Sequence, residues 1–475
     1  MRIAMISSEC EPFAKTGGLA DVVDALSRAL GQRGHDVDVY LPRYRGVEPP
    51  GEPEVHPLEV PAGSGGRVPL RLLSASAEGY RLRLVDHPPS FDRPDFYVAD
   101  GRDYPDNGAR FSLLGRTVLE AMRAEGRAAD VIHAHDWEGV PAVLFLRHRY
   151  AADPLLGNLP TLLTCHNLAY HGWVPRAEVA AQLDLPPSVG SADGVDLLRE
   201  GILAADLVNT VSPAYAEESR QPEMGLGVDD ALRARGESYF GILNGIDTKL
   251  WDPTTDQALP ARYSARDLAG KSVCRGTLAE ELDLAADGPL LGMVGRLDPQ
   301  KGFDLLAAAA PRLLAAGARI CVLGTGNRSL ISGLREVARA HPQRLVVLER
   351  FDRELARHIY AGADCFLMPS RFEPSGQGQM IGLRYGTIPV VRATGGLADT
   401  VRDADQHADG NGFTFLPAEP GALADACERA MAAMLDEQRW RAIQARGMAR
   451  DFSWRRPAAA YLGAYERAAG IRRAG

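Results

Sequence analysis

The sequence predicts an α/β protein built from two Rossmann-like domains, each a parallel sheet covered by helices. Short β-rich runs alternate with helical patterns along most of the chain, which is typical of βαβ units. The alternation stops in a proline-containing stretch and then starts again. A chain of 475 residues also exceeds what one hydrophobic core usually organises, so at least two domains are expected.

The first series of elements opens with a strand predicted at residues 2–7. A helix follows that ends near Gly31 or Gly34, because apolar residues recur there at intervals of three and four. These residues are Leu19, Val22, Val23, Leu26, Ala29 and Leu30. Further strands are predicted at 37–41, 80–85, 131–134, 161–165, 207–211 and 240–243.

The second series predicts strands at 290–294, 319–323, 344–348, 365–368 and 389–392, with helices between them. A boundary near the Asn-Gly-Ile-Asp segment at 244–247 gives an N-terminal domain at 1–244 and a C-terminal domain at 245–455. The chain from 440 to about 469 has a helical pattern, and 456–475 is a candidate for a helix that crosses back to the first domain. Ligands of open α/β sheets bind at the carboxyl ends of the strands. For two such domains this predicts sheets facing each other across a deep cleft.

Composition excludes several classes of protein. A hydrophobic content of 45% and a charged content of 24% are ordinary for a globular chain. The net charge of −9 gives no general attraction for nucleic acid or an anionic membrane, so neither is expected as a partner. The apolar run at the N-terminus is too short for a signal peptide, and no stretch approaches the ~18 apolar residues of a membrane span.

The cysteines indicate a reducing compartment. No C-x-x-C spacing occurs, and several of the six lie in apolar runs, which favours buried free thiols. They are Cys10, Cys165, Cys274, Cys321, Cys365 and Cys427. The sequence therefore predicts a cytoplasmic protein and leaves its oligomeric state open.

The hexapeptide Thr-Gly-Gly-Leu-Ala-Asp occurs twice, at residues 16–21 and 394–399. Paired glycines at the start of a helix let the backbone approach a ligand closely and offer N–H groups to an anion. Lys15 adds a mobile ammonium group to the first copy, a combination that suits a diphosphate. The competing interpretation is that both copies are ordinary strand-to-helix connections.

Two further groups of charged residues follow predicted strands. Arg296 and Lys301 stand five residues apart across a turn, which suits two neighbouring phosphate groups or, equally, a salt-bridged loop. The glycine-rich run at 376–382 lacks the spacing of a dinucleotide fingerprint and better fits a helix entrance that presents N–H groups to phosphate. Glu373 precedes it and could accept hydrogen bonds from sugar hydroxyls or simply cap a helix.

Histidines follow two strands of the first half, in His133-Ala-His-Asp-Trp137 and Cys165-His166-Asn167. A metal site is disfavoured because no second carboxylate or thiolate cluster accompanies them. No G-x-S-x-G elbow supports a serine hydrolase. Hydrogen bonding to a multi-hydroxyl ligand fits these residues better, and no metal or cofactor is predicted.

Taken together, these motifs resemble the bacterial glycogen synthase and plant starch synthase family over nearly the whole chain. Seven ordered segments carry the resemblance: 15–21, 133–137, 164–170, 244–247, 296–302, 369–374 and 394–401. The resemblance implies a GT-B fold and a retaining transferase. Its substrates would be ADP-glucose as donor and the non-reducing end of an α-1,4-glucan, such as glycogen, as acceptor.

The resemblance also implies roles for individual residues. Lys15, Arg296 and Lys301 would hold the donor diphosphate, with N–H groups of Gly17 and Gly18. His166, Asn167 and Asp136 would face the glucosyl unit, Glu373 would contact sugar hydroxyls, and Phe351 would stack on adenine. The further candidate substrate-binding residues are Asp21, Asn244, Gly326, Ser375, Gly376, Gln377, Thr394, Gly395 and Gly396. The Thr394 copy is expected to approach the nucleotide or phosphate through backbone N–H groups alone.

The chain departs from the family at Gln377, Gly378 and Ile381, which leaves the choice between ADP-glucose and UDP-glucose open. The residues are also compatible with a GT-B enzyme that makes a short maltosyl product and with a weakly active glucan-binding homologue. A dinucleotide oxidoreductase would need an acidic ribose ligand about 20 residues after its glycine fingerprint, and no residue fits. For retention, a front-face displacement fits better than a carboxylate nucleophile, because no second carboxylate is evident.

Overall fold

The computed structural model describes residues 1–63, 65–99 and 101–474. The chain divides into two compact units. Unit 1 comprises Met1–Val211, Ala216–Gly245 and Trp454–Gly475, and unit 2 comprises Ser212–Tyr215 and Ile246–Ser453. The boundary before the long segment Ile246–Ser453 falls directly after Gly245, and the C-terminal segment belongs to unit 1.

The strands of unit 1 combine a buried parallel region with an antiparallel edge. They are β1 (Arg2–Ile6), β2 (Asp36–Pro42), β3 (Glu54–Pro61), β4 (Arg67–Ala77), β5 (Tyr80–Asp86), β6 (Val98–Ala99), β7 (Arg102–Asp103), β8 (Val131–His135), β9 (Thr161–Cys165), β10 (Trp173–Pro175), β11 (Gly194–Asp196), β12 (Leu207–Thr210) and β13 (Tyr239–Gly241). The main sheet has the order β13-β12-β9-β8-β1-β2-β5-β4-β3. Strands β1, β8 and β9 are buried along their whole length and pair in parallel, so their carboxyl ends form one edge.

The predicted strands of the first half are confirmed, but the hairpin of β3 and β4 was missed. Its strands pair antiparallel with each other, and β4 pairs antiparallel with β5. Strand β3 is the edge of the sheet and is largely exposed. Its Pro57 and Pro61 are tolerated because an edge strand can leave one side unpaired. A strand with few buried residues lacks the apolar pattern by which strands are recognised.

The strands of unit 2 are β14 (Leu290–Val294), β15 (Arg319–Leu323), β16 (Leu345–Leu348), β17 (Cys365–Met368), β18 (Ile388–Arg392) and β19 (Phe413–Phe415). They form a sheet in the order β16-β15-β14-β17-β18-β19, and every pairing in it is parallel. The five predicted strands are confirmed. The three-residue β19 was missed because it is too short for a recognisable period.

Helices connect these strands and cover the sheets. They are α1 (Gly18–Gly31), α2 (Pro88–Phe91), α3 (Asn107–Glu125), α4 (Asp136–His148), α5 (Arg176–Gln182), α6 (Leu197–Ala204), α7 (Pro213–Glu218), α8 (Pro222–Gly225), α9 (Asp229–Ala234), α10 (Ala269–Glu281), α11 (Phe303–Ala315), α12 (Arg328–Ala340), α13 (Arg353–Gly362), α14 (Gly378–Arg384), α15 (Gly395–Thr400), α16 (Pro420–Ala433), α17 (Glu437–Met448) and α18 (Arg455–Ala474). Short 3-10 turns lie at Gly236–Ser238 and Pro299–Lys301. The predicted first helix is confirmed as α1.

The C-terminal helical region is two helices rather than one. Helix α17 ends at Met448, and α18 begins at Arg455 after a break in which Phe452 and Trp454 are buried. Helix α18 packs against α1, β8, β9 and β12 of unit 1. The break was missed because anchoring by two buried aromatic rings is a tertiary event that the helical composition does not reveal.

The six cysteines are free and buried, as predicted. Across the described ranges, none of the helices combines the length and the apolar character that crossing a bilayer demands.

Candidate functional site

In unit 1 the segments that follow β1, β8 and β9 lie at the shared carboxyl edge of three neighbouring strands. The loop after β1 carries Lys15, whose Nζ lies 2.5 Å from Asp21 Oδ1 and 3.3 Å from Glu11 Oε2. Asp21, a candidate substrate ligand, is therefore the ion-pair partner of the candidate phosphate lysine. Lysine occurs only at 15, 249, 271 and 301, so most of the chain's positive charge comes from arginine.

The buried carboxylate of Glu9 organises the same loop. It accepts hydrogen bonds from the Thr16 N–H at 2.6 Å, the Thr16 hydroxyl at 2.5 Å and the Gly17 N–H at 3.1 Å. The Gly17 N–H, expected to serve a phosphate, thus has an internal anion as its acceptor. Sequence reasoning missed Glu9, although its position three residues after the end of β1 could have indicated it.

The two glycines of this loop are not required by internal packing. A Cβ atom built on Gly17 or on Gly18 would meet no atom within 4 Å. Gly17 also has an extended backbone, with φ of −150°, which other residues adopt. The space next to them is open, as a ligand that approaches the backbone would need.

Asp136 connects the ends of β8 and β9. Its Oδ1 accepts a hydrogen bond from the His166 N–H at 2.6 Å, and its carboxylate also binds the Asn167 N–H. Burial raises the pKa of Asp136 to about 7, against the opposing effect of these two N–H groups. Asp136 has a φ of +51°, uncommon for a residue other than glycine, and such backbone strain is concentrated at functional sites. The structure therefore brings together Asp136, His166 and Asn167.

Three histidine rings form a row beneath this edge. The centroids of His133 and His135 are 4.1 Å apart, and those of His135 and His166 are 5.2 Å apart. Burial lowers the pKa of His133 and of His166 to about 3, and it lowers the pKa of His135 well below its usual value. All three imidazoles are therefore neutral near pH 7. Sequence reasoning named His166 but gave His135 no role of its own.

Replacing His133 with glutamine should reduce the decrease in the free energy of unfolding that occurs as the pH falls. Folded His133 stays neutral, whereas the unfolded chain takes up a proton below pH ~6.5, so the free energy of unfolding falls as the pH falls. Between pH 6.5 and 5 this group lowers the free energy of unfolding by about 2 kcal/mol. The His133→Gln variant should not show this decrease. Urea unfolding at pH 7.5 and pH 5 measures the difference.

His171→Gln is the matched control with the opposite sign. A hydrogen bond to Asp196 raises the pKa of His171, so its contribution is present below pH ~6.5 and is lost as the pH rises through the folded-state pKa. His171→Gln should therefore lose more stability than the wild type on acidification. Parallel stability curves for wild type and His133→Gln would contradict the explanation.

In unit 2 the segments after β14 and β17 meet in a lysine–glutamate pair. Lys301 Nζ lies 2.6 Å from Glu373 Oε2, and the Ser370 hydroxyl donates to the same oxygen at 3.0 Å. The Glu373 side chain is only 6% exposed, so the lysine compensates a nearly buried charge. Arg296 is exposed and lies 2.6 Å from Asp298. The structure thus shows ion pairs at both cations, compatible with a salt-bridged loop as well as with a phosphate clamp.

The second copy of the hexapeptide packs against the Glu373 loop. A Cβ on Gly395 would lie 2.1 Å from the Glu373 carbonyl oxygen, and one on Gly396 would lie 2.1 Å from the Ser375 carbonyl oxygen. The Gly396 N–H, expected to face a phosphate, donates to the Glu373 carbonyl oxygen at 3.0 Å. Thr394 is buried and precedes α15. The packing therefore requires glycine at both positions, because no side chain fits there.

The departures from the family pattern fall mostly in the core. Ile381 is buried, and a Cβ on Gly378 would meet the ring of Phe366 at 2.7 Å. Gln377 is half-buried and precedes α14. Of the three departures, only Gln377 has a partly accessible side chain. Ser375 is buried, and the adjacent Gly376 has a φ of +66°.

The remaining candidates are spread over other strand ends. Gly326 lies after β15 and approaches Leu297, whose carbonyl oxygen a Cβ would meet at 2.4 Å. Phe351 lies after β16 and is 77% exposed, with the Arg353 guanidinium 5.8 Å from its ring centroid. Asn244 of unit 1 is buried and, among the described residues, its Oδ1 has no hydrogen-bond partner. An unpartnered buried amide oxygen is consistent with a ligand contact.

The described residues contain no cluster of three or more histidine, cysteine, aspartate or glutamate side chains that could hold a metal ion. His133 could not coordinate a metal in this arrangement, because both of its ring nitrogens are hydrogen-bonded to hydroxyl groups of the protein.

Comparison with known proteins identifies both halves of the chain. Residues 2–234 match the family model for the starch synthase catalytic domain, and residues 288–433 match that for glycosyl transferases group 1. A glycogen synthase of Syntrophotalea carbinolica is 42% identical over 98% of this chain and 99% of its own length. One from Anaeromyxobacter sp. strain Fw109-5 is 44% identical with the same coverage.

Two solved structures are similar to this chain over nearly its whole length. The catalytic domain of starch synthase IV from Arabidopsis thaliana, bound to ADP and acarbose, superposes with a TM-score of 0.89 at 34% identity, covering 98% of this chain and 99% of that one. Sucrose-phosphate synthase from Thermosynechococcus elongatus superposes with a TM-score of 0.61 at 20% identity over 98% of each chain, which shows a shared fold. The predicted GT-B architecture is thereby confirmed.

Proposed function

This chain belongs to the glycogen synthase and starch synthase family of glycosyltransferases, and we propose that it transfers glucose from ADP-glucose to the non-reducing end of an α-1,4-glucan with retention. The observation that carries this proposal is the set of three cations at carboxyl ends of parallel strands. Lys15, Arg296 and Lys301 are each held within 2.6 Å of a carboxylate oxygen of the protein itself.

Those ion pairs support the assignment of the cations to a diphosphate. A phosphate oxygen has the charge and the acceptor geometry of a carboxylate oxygen, so a donor diphosphate can share or replace these partners. When the glycosidic bond breaks, negative charge grows on the departing diphosphate. Fixed cations stabilise that charge without reorganisation, which is the main source of catalysis in such a site. The open space at Gly17 and Gly18 lets the backbone of the Lys15 loop approach the donor.

We assign the remaining polar candidate residues to contacts with the glucosyl unit. Asp136, His166 and Asn167 are assigned to sugar hydroxyls, and so is Glu373. Positive charge grows on the sugar ring as the bond breaks, and neutral histidines do not oppose it. The acceptor hydroxyl attacks from the same face as the leaving diphosphate, whose oxygen takes the hydroxyl proton. A glycosyl-enzyme adduct trapped with Glu373→Gln would overturn this front-face displacement.

Phe351 is assigned to the adenine ring because its exposed aromatic face is suited to stacking. Of the three departures from the family pattern at Gln377, Gly378 and Ile381, Gln377 alone has a partly accessible side chain, so we expect the donor implied by the family, ADP-glucose, to be preferred over UDP-glucose.

The test uses purified protein with glucose-labelled ADP-glucose or UDP-glucose, and with glycogen or short maltooligosaccharides. Label should enter an α-1,4-linked product, faster from ADP-glucose. Arg312→Ala is the control and should leave the rate unchanged, because this exposed arginine of α11 pairs with Asp425 and Glu428 of α16. No transfer from either donor would contradict the enzymatic function, and a preference for UDP-glucose would contradict only the nucleotide assignment.

A further inference from the structure

The row of three histidines ends in a hydrogen-bond chain whose directions the surrounding groups determine. The amide nitrogen of Asn209 donates to the Thr210 carbonyl oxygen. The other amide atom of Asn209 is therefore the oxygen, and this Oδ1 accepts a hydrogen bond from the Thr164 hydroxyl at 2.7 Å. A hydroxyl has one hydrogen, so Thr164 Oγ1 must accept from His133 Nε2, 2.7 Å away. His133 therefore carries its proton on Nε2, and its Nδ1 accepts from the Tyr465 hydroxyl at 2.9 Å.

His135 has a different environment. Its Nδ1 lies 2.9 Å from His166 Nε2. Its Nε2 is buried and has no hydrogen-bond partner within the described ranges. Two arrangements are open to a neutral pair: either His135 Nδ1–H donates to His166 Nε2, or His166 Nε2–H donates to His135 Nδ1.

The orphaned nitrogen decides between them. In the second arrangement His135 would carry its proton on Nε2, which buries an unpaired donor. In the first arrangement Nε2 is only an unpaired acceptor. Orphaned N–H groups are the rarer and more costly of the two in protein interiors. The first arrangement is therefore favoured, and it leaves His166 with its proton on Nδ1.

We propose that His135 is a positioning residue that holds His166 as a neutral Nδ1–H donor, so that His166 binds an oxygen lone pair of the donor sugar rather than a hydroxyl proton. This role rests on the proposed contact of His166 with the glucosyl unit. The contribution of His135 is orientational, because it selects the tautomer. The ring of His133, tilted by 37° at a centroid distance of 4.1 Å and hydrogen-bonded to Tyr465 of α18, packs against the His135 ring. A neutral donor gives a hydrogen bond without placing a positive charge beside the developing positive charge of the sugar.

The tautomer can be measured without substrate. In protein with ¹⁵N-labelled histidine, the ring nitrogen shifts should show a protonated Nδ1 in His166 and a protonated Nε2 in His133, with signals assigned by their loss in His166→Gln and His133→Gln. In His135→Phe, the His166 signal should leave the Nδ1–H form. A protonated Nε2 on His166 in the wild type would overturn the proposal whatever the enzyme does.

Kinetics provide the second arm. His135→Phe keeps a ring but has no donor and should lower kcat by about 10- to 100-fold with a smaller change in KM. His135→Asn keeps an N–H near the position of Nδ1 and should recover activity to within a few fold of the wild type. His148→Asn, at an exposed histidine of the same unit, is the control. Equal losses in the Phe and Asn variants would show a packing role and overturn the proposal. Absence of transfer by the wild type would instead contradict the proposed function.

Discussion

Replacing Lys301 with alanine should lower kcat/KM for the nucleotide-sugar donor about 1,000-fold, the loss seen when one preorganised electrostatic group is removed from a transition state. The ammonium group would no longer oppose the charge on the departing diphosphate. The change also removes the cation that compensates the nearly buried Glu373 carboxylate, which the Ser370 hydroxyl alone would not hold in the same orientation. Steady-state and single-turnover rates with the preferred donor measure the effect.

Two further variants separate charge from structure. Lys301→Arg keeps the charge but replaces a compact ammonium with a planar fork, so it should recover only part of the rate. Because Lys301 and Glu373 are in contact, the double variant Lys301→Ala with Glu373→Gln should lose less activity than the product of the single losses. A thermal unfolding profile shows whether each variant is folded. A loss below tenfold in a folded Lys301→Ala protein would contradict the assigned role.

Gly395→Ala should destabilise unit 2 severely, by more than about 3 kcal/mol, or prevent its folding. Gly395 has a φ of +46°, and the added methyl group would lie 2.1 Å from the Glu373 carbonyl oxygen. That oxygen also accepts the Gly396 N–H, so the loop cannot move away without losing a backbone hydrogen bond. Urea unfolding of the purified variant, or its failure to accumulate as folded protein, measures the effect.

Alanine in the first copy should have the opposite outcome at Gly18, which is the first residue of α1 as Gly395 is of α15. Gly18→Ala meets no atom within 4 Å and lies at the first residue of α1, so stability should be unchanged or raised by up to about 1 kcal/mol. Its cost should appear in donor binding, as a higher KM for the nucleotide sugar. Unchanged donor affinity in Gly18→Ala would contradict a close approach of the donor to this loop, and a folded Gly395→Ala of normal stability would contradict the packing explanation.

Much of the fold could be predicted because its strands are buried on both faces. Such strands are continuous apolar runs, and the runs that became β1, β8, β9 and most of β14–β18 were recognised by that pattern alone. The edge strand β3 was missed because a largely exposed strand lacks this pattern. The division between α17 and α18 depends on buried aromatic anchors, which act only once the chain has folded.

The candidate site was predictable in a similar way. Polar residues that directly follow buried parallel strands must lie at the carboxyl edge of a sheet, and the sequence therefore determined which side chains share an edge. Their partners were not predictable. Glu9 beneath the Lys15 loop and Ser370 beside Glu373 come from positions whose side-chain directions are set by packing.

The repeated hexapeptide shows the limit of what the sequence alone can predict. By itself the sequence determined the two series of strands, the glycine turns that follow them and the cations beside those turns. The two copies share the same six residues and therefore the same intrinsic backbone preferences. Only the tertiary structure decided that Gly395 and Gly396 pack against carbonyl groups of residues about 20 positions earlier, while Gly17 and Gly18 face open space. The physical reason is that the room for a Cβ atom depends on which distant backbone the fold places beside it.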